Sequence, residues 1–376
     1  MRNVAVCARR VGALLPEKSS MEIVEVDRVP VGFGVVRTRE PDFDRTAPGN
    51  ATRVLVKVTA FSCNYRDKAF ILSAAAKATD NSFYVLGSEF AGTVVAVGPE
   101  VSGLQLGDRV IGDNAYSGHG ICGEGAPEGL ATNHASREYQ VLDQRRMHRV
   151  PAEMPATVAA GFGVGSQTAY AMIRKVRTTP GARVLVTSAR SNTSLFVINA
   201  LRAHDVEVYA TTTSAQCGGK LRQLGVKEVF EADLHPREFT KHEQLVRVAR
   251  RIGRFDCVID PFFDLNLAKA LGVLAPGGTY ITCGLARQDG APSDPAPMPT
   301  APRLEEVLLR AIVYNHQIIG NCLGTTEDLE SACRDYAAGR LEVVIDSVFS
   351  GDKVGAFIER TFCARGRFGK VIFQYE

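Results

Sequence analysis

The side chains best suited to chemistry lie in one short polar segment, FSCNYRD, at positions 61–67. The Asn64 amide can donate a hydrogen bond, and the Tyr65 hydroxyl can donate a hydrogen bond or a proton. Asp67 adds a carboxylate three residues after Asn64. The segment therefore offers two donors and one acceptor within a single turn or loop.

A second stretch of interest covers residues 183–210. Residues 183–187 form a β-branched run that predicts a buried parallel strand. Residues 188–194, SARSNTS, are small and polar, which is typical of a turn and a helix cap. Apolar residues at helical spacing follow, and then a second predicted strand at 206–210. This order is typical of the βαβ unit that binds a dinucleotide.

The turn of this unit contains no glycine, although glycines normally bring backbone N–H groups close to the phosphates. Asparagine tolerates left-handed backbone, and a helix N-terminus attracts an anion whatever its side chains. The hydroxyls of Ser191, Thr193 and Ser194 could also donate to phosphate. Two interpretations stay open: a variant phosphate-binding turn, or a dinucleotide that is displaced, weakly bound or lost.

The elements around these stretches differ between the two halves of the chain. Up to residue 111, short alternating strands punctuated by glycine predict a barrel-like β domain. Residues 113–136 predict a long surface loop. From residue 156 strands and helices alternate, which predicts a doubly wound parallel sheet covered by helices. The chain of 376 residues is long enough for two domains of ordinary size.

Composition excludes several function classes. The formal net charge is +3 without a Lys/Arg run, so we expect no nucleic-acid partner. No apolar run reaches the roughly 18 residues that span a membrane, and the N-terminus lacks the apolar centre of a signal peptide. The nine cysteines contain no C-x-x-C pair and predict buried reduced thiols, hence a cytoplasmic protein.

Five sequence blocks, in order, resemble the medium-chain dehydrogenase/reductase superfamily. They are residues 87–92 (GSEFAG), 107–110 (GDRV), 165–170 (GSQTAY), 274–284 (LAPGGTYITCG) and 366–371 (GRFGKV). The resemblance implies an α/β fold with a GroES-like β-barrel catalytic domain plus a Rossmann domain, a doubly wound parallel sheet.

The same resemblance implies the domain boundaries. The catalytic domain would cover residues 1–160, the NADP-binding Rossmann domain residues 161–322, and the return to the catalytic domain residues 323–376.

Zinc-dependent members of this superfamily carry a catalytic Cys and His in the barrel domain and a third ligand near the linking helix. Alignment through Asp67 puts Asn64 at the position of the cysteine, Ser88 at that of the histidine and Val164 at the third. Cys63 is one residue away and would point to the other face of an extended segment. We therefore expect no metal.

The segment 112–136 also lacks the four closely spaced cysteines of a structural zinc lobe, since it contains only Cys122. A metal site formed by His119, Cys122 and His134 is the less favoured alternative. The favoured interpretation is a polar loop over the active-site cleft.

The pattern of Asn64, Tyr65 and Asp67 resembles the zinc-independent branch, which includes quinone oxidoreductases and enoyl or crotonyl-CoA-type reductases. The resemblance implies hydride transfer from NADPH to the β-carbon of an activated C=C bond, followed by protonation of the α-carbon. Donors near the substrate oxygen would stabilise the enolate. Structural alternatives remain: Asn64 only caps a turn, Tyr65 only packs over the cofactor ring, and Asp67 only holds the loop.

The end of the second Rossmann strand favours NADPH over NADH. NAD enzymes usually place Asp or Glu there, but residues 210–220 (ATTTSAQCGGK) contain hydroxyls and then a lysine. Arg190 and Lys220 suit a 2′-phosphate, and each is equally interpretable as a solvated surface charge. The predicted cofactor contacts are Thr168, Ser188, Arg190, Ser191, Asn192, Thr193, Ser194, Thr212, Thr213, Lys220, Cys283, Gly284, Leu285 and Lys370.

We expect the substrate to lie between the domains, bounded by residues 61–67 and 113–136. A small enone or quinone, an enoyl thioester and a dehydroamino acid in a peptide all fit the chemistry. The alternatives are a superfamily member that lost its redox chemistry and binds a partner, and an alcohol dehydrogenase with a rearranged metal site. The resemblance also implies a homodimer that pairs through the strand near residues 316–322.

Overall fold

The computed structural model describes residues 1–8, 21–115, 129–232, 243–287 and 303–376. The strands of these ranges are β1 (Arg2–Cys7), β2 (Glu22–Val26), β3 (Val29–Arg37), β4 (Arg53–Ser62), β5 (Phe83–Val85), β6 (Glu89–Val97), β7 (Arg109–Gly112), β8 (Tyr139–Asp143), β9 (Met147–Arg149), β10 (Ala182–Val186), β11 (Val206–Thr212), β12 (Glu228–Glu231), β13 (Phe255–Asp260), β14 (Leu274–Thr282), β15 (Gln317–Gly320), β16 (Ile345–Ser350) and β17 (Lys370–Gln374). The helices are α1 (Asp67–Lys77), α2 (Ala156–Ala159), α3 (Gly163–Val176), α4 (Asn192–Leu201), α5 (Gly218–Gln223), α6 (Glu243–Ile252), α7 (Phe263–Val273), α8 (Leu304–Tyr314), α9 (Thr326–Ala337) and α10 (Val354–Phe362).

The chain divides into two compact units. The first consists of Met1–Val164 and Ile345–Glu376, and the second of Gly165–Val344. The first unit contains a sheet in the order β16-β17-β4-β6-β7-β9 and a four-stranded sheet in the order β2-β3-β1-β5. Strand β4 is long enough to pair with β8 along its first half and with β17 along its second half.

Aromatic side chains from distant parts of the chain form the core of the first unit. The Phe357 ring of α10 contacts Phe61 of β4 and Phe373 of β17, with ring centroids 5.5 and 5.6 Å apart. All three side chains are fully buried. The C-terminal segment therefore completes the core that begins in the N-terminal segment.

The second unit is a six-stranded sheet in the order β12-β11-β10-β13-β14-β15. Every pair of neighbouring strands in it is parallel. Strand order doubles back at β10, which is the pattern of a doubly wound sheet. The predicted fold class, a GroES-like β domain plus a Rossmann sheet, is confirmed.

The boundary between the units differs from the sequence expectation on the C-terminal side. The sequence places the return to the catalytic domain at residue 323, whereas the structure places it at Ile345. Helix α9 stays in the second unit because polar contacts tie it to α3. Tyr170 donates to Asp335 at 2.6 Å, and Arg174 forms an ion pair with Asp328 at 2.7 Å.

The sequence patterns do not predict α1. Its buried face begins with Asp67 and Lys68 and continues with Ile71 and Ala74. A buried face that opens with two charged residues lacks the apolar period by which an amphipathic helix is recognised. No helix in the described part of the chain has both the length and the apolar character needed to cross a membrane.

We predict that Phe357→Ala loosens the first unit. Loss of a buried Phe side chain costs about 3–5 kcal/mol of unfolding free energy. Native-state hydrogen exchange should show faster opening of the β4 and β17 amides. Leu106→Ala is the control, because this side chain is 61% exposed and should leave the rates unchanged. Equal effects of the two variants would contradict the assigned core.

Candidate functional site

Strand register brings two predicted residues of the first unit, Asn64 and Lys370, together with Glu89. Ser62 at the end of β4 pairs with Ile372 of β17 on one side and with Glu89 of β6 on the other. Side chains two residues apart on a strand share a face. Asn64 and Lys370, each two residues beyond a paired position, therefore meet beside Glu89.

The three side chains form a buried hydrogen-bonded cluster with Ser88. Lys370 Nζ donates to Asn64 Oδ1 at 2.8 Å and forms an ion pair with Glu89. Asn64 Nδ2 donates to Ser88 Oγ at 2.9 Å and to Glu89 Oε1 at 3.1 Å. The Lys370 and Glu89 side chains are only 1% and 3% exposed. Because both side chains are buried to this extent, removing either one would leave the other as an uncompensated buried charge.

Two expectations change as a result. Both amide hydrogens of Asn64 are donated within the protein, so in this structure Asn64 is not the donor for a substrate oxygen. Lys370 was expected to contact the cofactor, but its ammonium is used on Asn64 and Glu89 in the first unit. Sequence reasoning missed Glu89, although it is the one charged residue of the block GSEFAG and that block leads into the apolar residues of β6.

Asp67 holds the loop that carries Asn64. Its Oδ2 accepts from the Asn64 backbone N–H and from Ser88 Oγ, both at 2.7 Å. Burial raises the pKa of this carboxyl, while the neighbouring Arg66 and the two hydrogen bonds act in the opposite direction. The geometry favours the structural interpretation of Asp67.

Tyr65 is half-buried, and its hydroxyl oxygen accepts a hydrogen bond from Lys68 Nζ at 3.1 Å. Lys68 is also ion-paired with Asp27. Sequence reasoning found neither Lys68 nor Asp27, because Asp27 is far from Tyr65 along the chain and no local pattern joins them. With Asn64 committed, Tyr65 is the remaining predicted donor of the segment.

In the second unit, the glycine-free turn connects β10 to α4. Ser188 has a φ of 48°, a left-handed conformation that glycine usually provides. Its hydroxyl accepts a weak contact from Asn266 Nδ2 at 3.3 Å. Asn266 also donates to the buried Asp260 at 2.9 Å. The left-handed position is thus held by side-chain contacts.

Two of the three hydroxyls expected to contact phosphate serve the turn itself. Ser191 is the N-cap of α4 and accepts from the Ser194 backbone N–H at 3.2 Å. Ser194 Oγ donates to the Thr187 carbonyl at 2.8 Å and is buried. Thr193 is half-buried in the first turn of α4. In this structure the Ser191 and Ser194 hydroxyls therefore stabilise the turn and do not point to a phosphate.

One donor at this helix start has no partner among the described residues. Asn192 Nδ2 is buried and unpaired. It lies beside Gly165 of α3, where an added Cβ would be 2.7 Å from Asn192 Nδ2 and 2.6 Å from the Phe196 ring. A buried donor without an acceptor is costly, and an anionic oxygen would satisfy it. The helix start therefore fits a phosphate group.

The end of β11 carries hydroxyls and a cation. Thr212 is buried, and its Oγ1 accepts from the Ser214 backbone N–H at 3.3 Å, so it faces the protein interior. Thr213 Oγ1 accepts from Arg190 at 2.8 Å, which places that guanidinium at the strand end. Lys220 is exposed in α5. Residues 210–214 at this strand end thus carry hydroxyls beside the Arg190 guanidinium and no carboxylate of their own, while Glu231 of the neighbouring β12 pairs with Thr212.

The remaining predicted cofactor contacts lie at other strand and helix positions of the second unit. Thr168 is buried in α3. Cys283 follows β14, and burial raises the pKa of its thiol to about 12. The Gly284 carbonyl accepts from the Phe263 backbone N–H at 3.0 Å, and Leu285 is 41% exposed. None of these contacts conflicts with a cofactor role, which stays a prediction.

A buried carboxylate that sequence reasoning missed supports this region. Asp260 at the end of β13 accepts from Thr187 Oγ1 and from Tyr280 OH, each at 2.5 Å. Burial raises the pKa of Asp260, although its hydrogen bonds act to lower it. Asp260 joins β10, β13 and β14 beneath the turn.

Comparisons with known proteins agree with this architecture. The alcohol dehydrogenase GroES-like domain matches residues 50–180. A mycocerosic acid synthase-like polyketide synthase of Mycobacterium tuberculosis is 30% identical over 243 residues, which are 64% of this chain and 10% of that protein. Human quinone oxidoreductase is 27% identical over 233 residues, 62% of this chain and 64% of that protein. The chain therefore contains a segment that matches the GroES-like domain, and it is similar to members of the medium-chain dehydrogenase/reductase superfamily.

A solved structure extends the likeness of fold to the whole chain. The thermostable alcohol dehydrogenase from Pyrobaculum aerophilum has a TM-score of 0.71 at 23% identity, with 99% of each chain covered. The chain spans only a tenth of the polyketide synthase and less than two thirds of the quinone oxidoreductase.

Relative to zinc members of the superfamily, the ligand positions hold different chemistry. Asn64 and Ser88 are hydrogen-bonded to each other, and the Val164 backbone N–H donates to Glu89 Oε2 at 2.9 Å. Cys63 lies in the apolar core of the first unit. Among the described residues, no three His, Cys, Asp or Glu side chains are placed to hold a metal ion. His119 and Cys122 of the alternative site lie outside the described residues.

We predict that Lys370→Met destabilises the first unit by about 3–5 kcal/mol, because Glu89 is left buried and unpaired. The double variant Lys370→Met/Glu89→Gln should recover part of this loss. Thermal unfolding and hydrogen exchange in β17 measure both effects. Lys77→Met, an exposed lysine of α1, is the control. A double variant no more stable than Lys370→Met would show that the pair is not coupled.

Proposed function

We propose that the protein is a zinc-independent, NADPH-dependent reductase of an activated C=C bond. The observation that carries this proposal is the hydrogen-bonded Asn64–Ser88 pair, backed by Lys370 and Glu89, at the positions of the zinc ligands. An amide and a hydroxyl tied to each other are poor metal ligands compared with thiolate and imidazole. Similarity to a quinone oxidoreductase supports the same reaction class.

The residues of the second unit suit NADPH, which when bound supplies a hydride to the β-carbon of the substrate. The start of α4, with the buried Asn192 amide, would hold the pyrophosphate. Arg190 at the end of β11 and Lys220 of α5 would bind the 2′-phosphate. Charge-assisted hydrogen bonds to phosphate favour arginine at such a position.

Tyr65 is the group of the first unit that we assign to proton delivery. Reduction of the double bond leaves negative charge on the carbonyl oxygen and the α-carbon of the substrate. The Tyr65 O–H bond breaks and a C–H bond forms at the α-carbon, while its electron pair stays on the phenol oxygen. The substrate is a small enone or quinone, an enoyl thioester or a dehydroamino acid, free or carried by a peptide.

We predict saturable NADPH binding at submillimolar concentration, measured by cofactor fluorescence. Arg190→Ala/Lys220→Ala should weaken NADPH binding about tenfold or more, since hydrogen bonds to charged groups contribute about 1.5–3 kcal/mol. NADH binding should change little. Arg222→Ala, another exposed cation of α5, is the matched control.

Three results would redirect the assignment. Absence of saturable NADPH binding would favour the alternative of a binding protein that lost its redox chemistry. Equal losses for NADPH and NADH would contradict 2′-phosphate recognition. Stoichiometric zinc in the purified protein would favour an alcohol dehydrogenase with a rearranged metal site.

We also propose a homodimer that forms through β15 and α8. Strand β15 is the edge of the parallel sheet, so one row of its backbone groups is open to pairing in the described structure. Helix α8, which precedes β15 in the chain and packs against α7 and β14, exposes several large apolar side chains: Leu304, Leu308, Leu309, Ile312 and Val313. An exposed apolar surface next to an open strand edge fits a second copy of the same chain.

Light scattering should therefore give the mass of a dimer, and Ile312→Asp should shift it to the monomer. Ile312 is 74% exposed, so the substitution buries no charge within one chain. Leu106→Asp in the first unit, also exposed, should leave the dimer intact. A monomeric wild-type protein would refute the proposal.

A further inference from the structure

Tyr65 is one end of a chain of three polar groups that reaches solvent. Lys68 Nζ donates to the Tyr65 hydroxyl oxygen at 3.1 Å and lies 4.7 Å from the centre of its ring. The same ammonium is ion-paired with Asp27. The Lys68 side chain is only 6% exposed, whereas that of Asp27 is 45% exposed. The buried lysine therefore bridges a half-buried phenol and a solvent-exposed carboxylate.

Local backbone structure fixes each member of this chain. The backbone N–H of Lys68 donates to the Tyr65 carbonyl at 3.2 Å, so the two residues lie in one turn at the start of α1. Asp27 and Arg28 connect β2 to β3, and both have positive φ, 47° and 68°. This is the type I′ hairpin turn, in which Asp is tolerated because its short polar side chain permits left-handed backbone.

The ammonium of Lys68 stays charged in this environment. Burial acts to lower its pKa, but the hydrogen bonds to Asp27 and Tyr65 outweigh burial, so the pKa is raised above its usual value. The ion pair with Asp27 uses one of the three ammonium donors, and the hydrogen bond to the Tyr65 hydroxyl oxygen uses a second.

We propose that Lys68 is a positioning residue for proton delivery by Tyr65, and that Asp27 connects it to solvent. This inference rests on the proposed function. After Tyr65 gives its proton to the α-carbon, Lys68 passes one proton to the phenolate oxygen as it takes up another from water at its Asp27 end. The ammonium therefore stays charged, the phenol is restored and one proton is consumed per double bond reduced.

The groups facing this chain come from three elements of the first unit. Tyr65 precedes α1, Asp27 belongs to the β2–β3 turn, and Cys363 follows α10. Burial raises the pKa of the Cys363 thiol, with Glu359, Asp27 and Glu25 acting in the same direction. The thiol is therefore neutral near pH 7. Lys68 is the cation that acts on it.

The first test measures the coupling without any substrate. The alkaline rise of tyrosinate absorbance is recorded for the wild-type protein and for Tyr65→Phe, and the difference belongs to Tyr65. Lys68→Met should move the midpoint of that difference to higher pH by about one unit or more, because a cation within hydrogen-bonding distance is removed. Lys68→Arg should largely restore the midpoint, and Lys77→Met should leave it unchanged.

If Lys68→Met does not fold, Asp27→Asn still tests the series of polar groups formed by Tyr65, Lys68 and Asp27. Asparagine is favoured in a type I′ turn, so this variant removes the carboxylate and preserves the backbone. It should slow turnover while the protein remains folded by circular dichroism. Full activity in Asp27→Asn would overturn the role of Asp27.

The second test uses turnover of an enone with NADPH. Tyr65→Phe should lower kcat about 100-fold, within the range for loss of a general acid, and Lys68→Met about tenfold. If Lys68 acts through Tyr65, adding Lys68→Met to Tyr65→Phe should cause no further loss. Additive losses would overturn the inference.

The two tests separate the inference from the function on which it rests. An active Lys68→Met enzyme with an unshifted tyrosinate midpoint overturns the inference and leaves the reductase intact. If Lys68→Met shifts the tyrosinate midpoint but the wild-type protein reduces no activated double bond, the proposed function is overturned and the contact between Lys68 and Tyr65 is not.

Discussion

The buried ion pair between Lys370 and Glu89 constrains several elements of the first unit at once. Two charges removed from water are tolerated only where each has its partner and where further hydrogen bonds satisfy the remaining lone pairs. Ser62, Asn64 and the Val164 backbone N–H provide those bonds to Glu89. Because the partners come from β4, β6, β17 and the start of α3, their relative register has to be correct for the pair to form.

That constraint decides which side chain of the segment 61–67 is left for chemistry. Asn64 cannot serve both as the neutral link between Lys370, Glu89 and Ser88 and as a donor to substrate. Asp67 is similarly committed to the backbone of Asn64 and to Ser88. Tyr65 differs because its hydroxyl is bonded to a lysine that reaches the surface through Asp27. The two buried lysines thus have opposite consequences: Lys370 immobilises its neighbour, and Lys68 connects its neighbour to water.

Sequence patterns predicted what depends on local order. The β-branched run at β10, the polar turn and the apolar period of α4 lie within one short stretch, so the βαβ unit was found with its boundaries nearly correct. The cluster around Asn64 was not found, since Lys370 is 306 residues from Asn64. Helix α1 was missed because Asp67 and Lys68 lie on its buried face, where they contact loop and turn residues such as Ser88 and Asp27. The return at residue 345 also depends on contacts between α3 and α9 that no local pattern contains.

The glycine-free turn shows how a side chain can replace a missing conformational freedom. A non-glycine residue with positive φ costs free energy and persists only where its surroundings hold it. Ser188 is held by Asn266, which is held by Asp260, which in turn binds Thr187 and Tyr280. The Ser191 and Ser194 hydroxyls are consumed by the same task of fixing the backbone. If a phosphate binds at this helix start, the donors left for its oxygens are backbone N–H groups, the Asn192 amide and the Thr193 hydroxyl. The polar residues of SARSNTS serve mainly to stabilise the turn. Among them, only Asn192 has a buried donor that the turn leaves without an acceptor.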